Sequence, residues 1–369
     1  MDRAGKHLYF HVPFCDGKCA YCGFYSEVYS PQDADRCLDS LEIEAALRLA
    51  GTGVAPETVY FGGGTPSILS AAQLERLCRI VKTRSLPRPA TEWTVEANPG
   101  TLTPGKLRVL REAGVNRISV GAQSFDDAVL RHIGRRHSAA AISGTVAAIR
   151  SAGIENIGLD LIAALPGVDD DTWRATLMKA VELDPRHISV YALTIEHGSR
   201  MATPDDDSQL RAMEQAESVL SSAGYLRYEI SNYAKPGFEA KHNVSCWRGE
   251  DYLGLGPAAA ARSGLKRWTN KPGLGAYSEA LAAGCLPPRD EETVTPETDA
   301  AERLAFAFRL AEGVDLRKFE AIAGSRVGQW QETLRKLGDT GLTEYRDGRW
   351  FLTAKGIHLA DYVAGELMG

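Results

Sequence analysis

The sequence has no apolar run approaching the roughly 18 residues of a membrane-spanning helix, so no membrane span is expected. MDRAGKHLYFHVPF contains no apolar core of a signal peptide ahead of Cys15, so no leader is expected either. Cysteine is sparse and odd in number, seven in 369 residues, with three in one short loop. That distribution does not suit a secreted disulfide framework, and the reducing cytoplasm is the expected compartment. A basic excess is also missing: 42 Lys and Arg face 48 Asp and Glu, for a formal charge of −6. This argues against a general nucleic-acid binder, whose footprint is a basic face. The length suffices for one large domain and a small one.

Short β-branched and aromatic runs recur through the first half. They are HLYFHVPF (7–14), TVYFGG (58–63), EWTVEANP (92–99), RISVGAQ (117–123), IGLDLIAALP (157–166) and HISVYALT (187–194). Each ends in Gly, Pro or a polar residue and predicts a strand. Between them, helical spacing predicts a helix over 34–50, one after Ser70, one from Thr103 to Gly114, and two more over SAAAISGTVAAIRSAG and DDTWRATLMKAVELD. Six such alternations imply parallel strands joined by right-handed crossovers, in either an open sheet or a barrel. Glycine and polar residues collect at the strand ends, the rim that carries the active site of a (β/α) barrel. The expected fold is therefore α/β, with a repeating strand–helix core over 1–200. An extension over 201–299 follows, in which 225–264 shows no regular pattern. Residues 300–369 predict amphipathic helices, a short hairpin and a last helix, a winged-helix-like module. With ten basic against ten acidic residues over 301–369, a packing or lid role is expected there rather than DNA contact.

FCDGKCAYCGFYS places Cys15, Cys19 and Cys22 in one loop, with Phe24 where a fourth thiol could stand. Thiolates at this spacing converge on iron–sulfur or zinc, and CxxC pairs also serve redox sites. A structural zinc site takes four ligands, so three leave an open position. Cys37, Cys78 and Cys285 are expected to be inert core residues. YFGGGTPS (60–67) lets backbone approach a ligand and offers amides to carboxylate or phosphate oxygens. It lacks a P-loop lysine and the spaced GxGxxG, so a small zwitterion fits better than a nucleotide phosphate. Glu96 and Asp160 at strand ends can serve ammonium or hydroxyl groups, or simply cap.

CDGKCAYC, YFGGGTPS, VEANPGT and GVNRISVGAQSFDDAVLRHIGRRH together resemble the radical S-adenosylmethionine (SAM) superfamily. Within it they resemble the HemN-like branch of oxygen-independent coproporphyrinogen III oxidases and HemW heme chaperones. DLIAALPG, HISVYALTIEHGS, YEISNYAKPG, HNVSCWRGEDYLGLGP and a C-terminal LTAKG, taken as part of the wing, extend the likeness over nearly the whole chain. The resemblance implies a partial (β/α)6 TIM-like barrel with a HemN-type C-terminal module. It implies a [4Fe–4S] cluster on Cys15, Cys19 and Cys22, its fourth iron chelated by SAM, which one-electron reduction cleaves to a 5′-deoxyadenosyl radical. By position, Tyr9, Gly63, Gly64, Thr65, Glu96, Gln123, Arg135, Asp160 and Ala192 would contact SAM.

Two features favour the heme-chaperone side of the branch: Phe24 in place of the oxidase's further cysteine, and few residues ahead of the motif. HNVSCW carries His242, matching the family's proposed heme-binding histidine, but has Cys246 where relatives have tyrosine. Cys246 either adds a soft ligand for heme iron or fills the tyrosine's place. GPAAAARSG (256–264) stands where relatives read GPGAHS. Heme is thus an expected cofactor, and a heme-accepting protein and an electron donor are expected partners; transient contact with a membrane protein is allowed. The alternative implied by the same branch is a radical enzyme, a methyltransferase, cyclopropanase or oxidase.

Overall fold

The structure, a computed structural model, describes residues 6–49, 55–85, 89–194 and 204–369. Six strands, β1 (His7–Val12), β2 (Thr58–Gly63), β3 (Glu92–Ala97), β4 (Arg117–Gln123), β5 (Asn156–Ala163) and β6 (His187–Ala192), pair in sequence order and all in parallel. The connections carry helices α1 (Pro31–Leu49), α2 (Ala71–Ser85), α3 (Pro104–Ala113), α4 (Asp127–His132), α5 (Ala139–Ser151) and α6 (Asp170–Glu182). These elements form the parallel α/β core that the alternation predicts. Local chemistry sets several helix ends. Ser70 and Gln73 exchange backbone-to-side-chain bonds at the start of α2, a reciprocal capping box. Gly114 ends α3 in the left-handed conformation at φ 107°. Ala50, the last residue of the helix expected over 34–50, lies outside the described residues, as do the IEHGS end of HISVYALTIEHGS and the expected 200/201 boundary.

The loose stretch after residue 200 resolves into elements too short to leave a period in sequence. After α7 (Asp206–Ser222), a hairpin of β7 (Leu226–Glu229) and β8 (Asn232–Ala234) adds antiparallel to β6. Helix α8 (Lys241–Trp247) follows, and β9 (Tyr252–Leu255) joins the other side of β1 in parallel. Strand β10 (Ala260–Ser263), β11 (Lys266–Asn270), helix α9 (Leu274–Ala282) and β12 (Arg289–Thr293) complete a twelve-stranded sheet.

Each parallel strand has an apolar and a polar side. Leu8, Phe10, Val59, Phe61, Trp93, Val95, Ile118, Val120, Leu159 and Val190 face outward and are buried in the main core. Their alternate neighbours point inward: His7, Tyr9 and His11 on β1, Thr58 and Tyr60 on β2, Glu92, Thr94 and Glu96 on β3, Arg117 and Ser119 on β4, Asp160 on β5, His187 and Ser189 on β6. Most TIM barrels fill this space with Val, Ile and Leu. Here it is a polar chamber.

The buried apolar side chains form one large set running from Leu8 to Leu281, a second from Ala300 to Leu367, and a small third of Ile133, Ile162, Leu165 and Leu193. The second is built on α10 (Pro296–Ala307), α11 (Arg326–Asp339), the hairpin β13 (Thr343–Arg346) and β14 (Arg349–Leu352), and α12 (Ala360–Met368). Two details differ from the sequence reading. Helix α10 starts earlier than AERLAFAFRLAEG because Thr295 caps it and Pro296 takes its first turn, and it ends at Ala307. Only Leu352 of LTAKG belongs to the wing, since Thr353 accepts from the Gly356 amide and starts a helical turn.

Candidate functional site

A cavity of about 950 Å³ opens at the C-terminal end of the parallel strands. Cys15, Cys19 and Cys22 line it from the loop that leaves β1, all three free and partly buried. Short backbone bonds fix that loop. Glu27 N–H donates to Pro13 O (2.6 Å), Tyr29 N–H to Cys15 O (2.8 Å) and Ala20 N–H to Ile133 O (3.2 Å). Burial pushes the Cys15 thiol up, against hydrogen bonds from Thr65 and Ser26, and burial likewise raises Cys22. Arg135 reaches the loop from below, donating to Cys19 Sγ at 3.7 Å.

The glycine motif does a different job from the one its composition suggests. The amides of Gly64 and Thr65 are not free for a ligand: they donate to Val12 O (2.9 Å) and Phe14 O (2.7 Å). They tie the end of β2 to the cysteine loop. The Gly63 amide serves Glu96, and a side chain at 63 would strike the His11 ring at 2.6 Å. His11 is held neutral: burial brings its pKa down to about 4. With its Nε2–H given to Tyr25 O (3.1 Å), its Nδ1 accepts from Tyr9 OH (3.0 Å).

Charged groups stack below. Tyr60 OH donates to Glu96 Oε1 at 2.7 Å. Burial pushes the Glu96 carboxyl up to about 7, with the Tyr60 bond opposing and the nearby Asp160 charge adding. Asp160 is also raised by burial, while accepting from Ser189 OH (2.7 Å) and Ser119 OH (3.2 Å). Arg117, 2 % exposed, lies among these carboxylates with its Nε unpaired. Such a chamber can hold a polar cation with an acidic partner on each side.

Of the sequence-predicted residues, Gly63, Gly64, Thr65, Glu96, Gln123, Arg135, Asp160 and Ala192 line the cavity with the three cysteines. Tyr9 does not; it points into the barrel with its ring 6.1 Å from that of the cavity-lining Tyr60. His242 is also apart. It lies on α8, whose first amides are capped by Glu92, with its Nδ1 2.8 Å from Thr58 Oγ1 and its ring 5.1 Å from that of Tyr60. Thr58 in turn meets His7 Nδ1 (2.9 Å), and His7 Nε2 meets Glu250 (3.0 Å). Burial lowers the His242 pKa to about 3. It lines neither this cavity nor a second one, of about 610 Å³, at the opposite mouth of the barrel. Cys246 lies on the same short helix, its thiol raised to about 11 by burial. In GPAAAARSG, Gly256 donates to buried Glu44 and Ala258 adopts φ 61°, so this stretch is a tight turn into β10. Cys37 and Cys78 are buried, but Cys285 is exposed rather than part of the core, because it sits past the end of α9.

Composition and motif reading did not single out Tyr21, Tyr60, Asn98, Arg117, Ser119, Ser189 or Tyr191, all of which line the cavity. Polar–apolar alternation within strands that pair in parallel is the signal that finds the strand-borne ones.

Among the described residues, no three His, Cys, Asp or Glu side chains gather tightly enough to hold a single metal ion. The donor set is nevertheless suited to a cluster. Three soft thiols from one loop face a space large enough for a multi-atom inorganic core and an organic ligand, and the Glu96 and Asp160 carboxylates suit that ligand's cationic end.

Residues 9–180 match the radical SAM superfamily and residues 294–359 the HemN C-terminal domain. The heme chaperone HemW of Bacillus subtilis is 35% identical over 376 residues, spanning 99% of this chain and 99% of its own. HemW of Lactococcus lactis is 36% identical, covering 87% and 86%, and HemW of Escherichia coli 39% identical, covering 68% of each chain. Among solved structures, the radical SAM coproporphyrinogen III oxidase HemN of Escherichia coli superposes with a TM-score of 0.85 at 23% identity, over 99% of this chain and 90% of that one. No helix among the described residues is long and apolar enough to cross a membrane.

Proposed function

Because the chain belongs to the HemW heme chaperone family of the radical SAM superfamily, we propose that it carries heme to an acceptor protein in the cytoplasm. It does so with a [4Fe–4S] cluster on Cys15, Cys19 and Cys22 and with SAM in the chamber beneath. The observation behind this reading is one loop presenting three thiols to a 950 Å³ chamber, in a chain that aligns end to end with heme chaperones. Cys15, Cys19 and Cys22 would hold the cluster, which when bound would supply one-electron reducing chemistry to SAM. Gly63, Gly64 and Thr65 form the backbone wall on which the amino-acid end of SAM rests, while Glu96 and Asp160 receive its ammonium and hydroxyl groups. Gln123, Arg135 and Ala192 border the rest. Residues 300–369 form a separately cored unit that packs against the barrel rather than contacting nucleic acid.

Glu96 gives this reading a pH signature. Its carboxyl is raised to about 7, so it is mostly neutral at pH 6 and mostly ionised at pH 8. Affinity for SAM should rise about tenfold over that interval, and Glu96→Gln should bind weakly without the step. Stability moves the other way. A raised carboxyl favours the fold most below about 4.5, and that contribution is lost as the pH climbs through about 7. Calorimetric titration at pH 6, 7 and 8 measures the first effect, and urea melts measure the second.

Heme handling is tested on anaerobically reconstituted protein. It should take up about one heme per chain, release it to a heme-free acceptor, and leave coproporphyrinogen III unconverted. Abundant 5′-deoxyadenosine with a methylated product and no heme uptake would replace the carrier by an enzyme. Thr58 engages His242 at Nδ1, so a bond to heme iron would be made by its Nε2. An unchanged heme titration for His242→Ala would therefore assign it to the barrel floor alone.

A further inference from the structure

We infer that Arg135 is a positioning residue for the cluster: its guanidinium is locked against the Cys19 sulfur and makes the cluster easier to reduce. This rests on the reading of Cys15, Cys19 and Cys22 as cluster ligands. One nitrogen of the side chain is anchored twice, Nη2 donating to Asn98 Oδ1 and to Gly121 O, both at 2.6 Å. Neither acceptor is loose. Asn98 follows β3 directly and is itself held through Nδ2–H to Thr65 Oγ1 at 3.0 Å, and Gly121 O belongs to β4. A planar guanidinium pinned at one nitrogen has its other nitrogen placed by geometry. Nη1 accordingly points at the cysteine loop, 3.7 Å from Cys19 Sγ and 3.5 Å from Tyr21 OH.

Gly121 is part of the same device. A β-carbon there would lie 3.2 Å from Arg135 Nη2 and 3.3 Å from Asn98 Oδ1, inside the fork. The bridge thus joins the two strand ends that border the chamber to one sulfur of the cluster loop.

Reduction adds one electron, taken from an external one-electron donor, to a group already negative from its thiolates. No proton or bond at Arg135 changes. A fixed cation that hydrogen-bonds a ligand sulfur stabilises the more negative state and raises the potential. Lysine would keep the charge but not the fork.

The test is an EPR-monitored redox titration of the full chain after anaerobic reconstitution. Arg135→Gln should keep its iron and sulfide yet show, at a fixed potential, about tenfold less reduced cluster, a downward shift of about 59 mV for one electron. Asn98→Ala retains the arginine but releases it, and should shift the same way by less; Arg135→Lys should fall between wild type and Arg135→Gln. If Arg135→Gln fails to hold a cluster, the asparagine variant decides. Unchanged midpoints with intact iron content in both Arg135→Gln and Asn98→Ala would overturn the inference. A wild-type chain that takes up no cluster would instead overturn the cysteine reading beneath it.

Discussion

Replacing any one of Cys15, Cys19 and Cys22 by alanine should remove the [4Fe–4S] cluster, which wild-type protein should hold at about four iron and four sulfide per chain after anaerobic reconstitution. The expectation follows from ligand count. A cluster that already leaves one iron without a protein ligand has none to spare, and no other soft donor lines the cavity among the described residues. Cys37 and Cys78 are buried elsewhere, and Cys285 is exposed beyond α9. Thr65 Oγ1 at 3.5 Å from Cys15 and Arg135 at 3.7 Å from Cys19 are a hydroxyl and a cation, neither a substitute for a thiolate. The fold should survive, since the loop is pinned by backbone bonds rather than by the thiols. Iron and sulfide assays, the visible spectrum and EPR with and without SAM read the outcome. A cysteine variant with normal cluster content would move the metal site elsewhere.

The parts of this site that sequence reveals are those carried by contiguous residues. The three-thiol loop, YFGGGTPS and the acids at strand ends are read directly, and the six parallel strands follow from β-branched runs separated by helical spacing. What sequence hid is carried by contacts between distant positions. His7 and Thr58 meet across 51 positions, and Thr58 and His242 across 184. This line of side chains turns the HNVSCW helix into the floor of the barrel, a role that the motif's histidine does not announce. Arg135 and Asn98 are 37 positions apart, and nothing local marks the asparagine. The polar chamber is an intermediate case. Its alternation is present in HLYFHV, EWTVEA and RISVGAQ, but it carries meaning only once the strands are known to be parallel with both faces covered, where uniform apolar runs are the ordinary pattern.

Gly64→Ala should be the most damaging single methyl group in the chamber wall. Glycine runs are commonly read as flexible ligand loops, yet here the second strand and the cysteine loop are in backbone contact. A β-carbon at 64 would stand 2.6 Å from Phe14 O, 2.8 Å from Phe14 N and 2.9 Å from Phe14 C. These are main-chain atoms next to Cys15, held by Thr65 N–H to Phe14 O at 2.7 Å, so no side-chain rotation relieves the overlap. Either the loop lifts off β2 or the strand end bends, and both displace the first thiol. A loss of about 2–4 kcal/mol in urea unfolding is expected, together with a cluster content well below that of wild type. Gly144→Ala is the matched control. It adds the same methyl group inside α5 with nothing within 4 Å, so it should gain up to about 1 kcal/mol and leave the cluster intact. Loss of cluster in Gly64→Ala with unchanged unfolding would place the defect in ligand contact alone. Loss of both assigns this glycine to the seam that seats the cysteines, with the SAM-binding wall built on top of it.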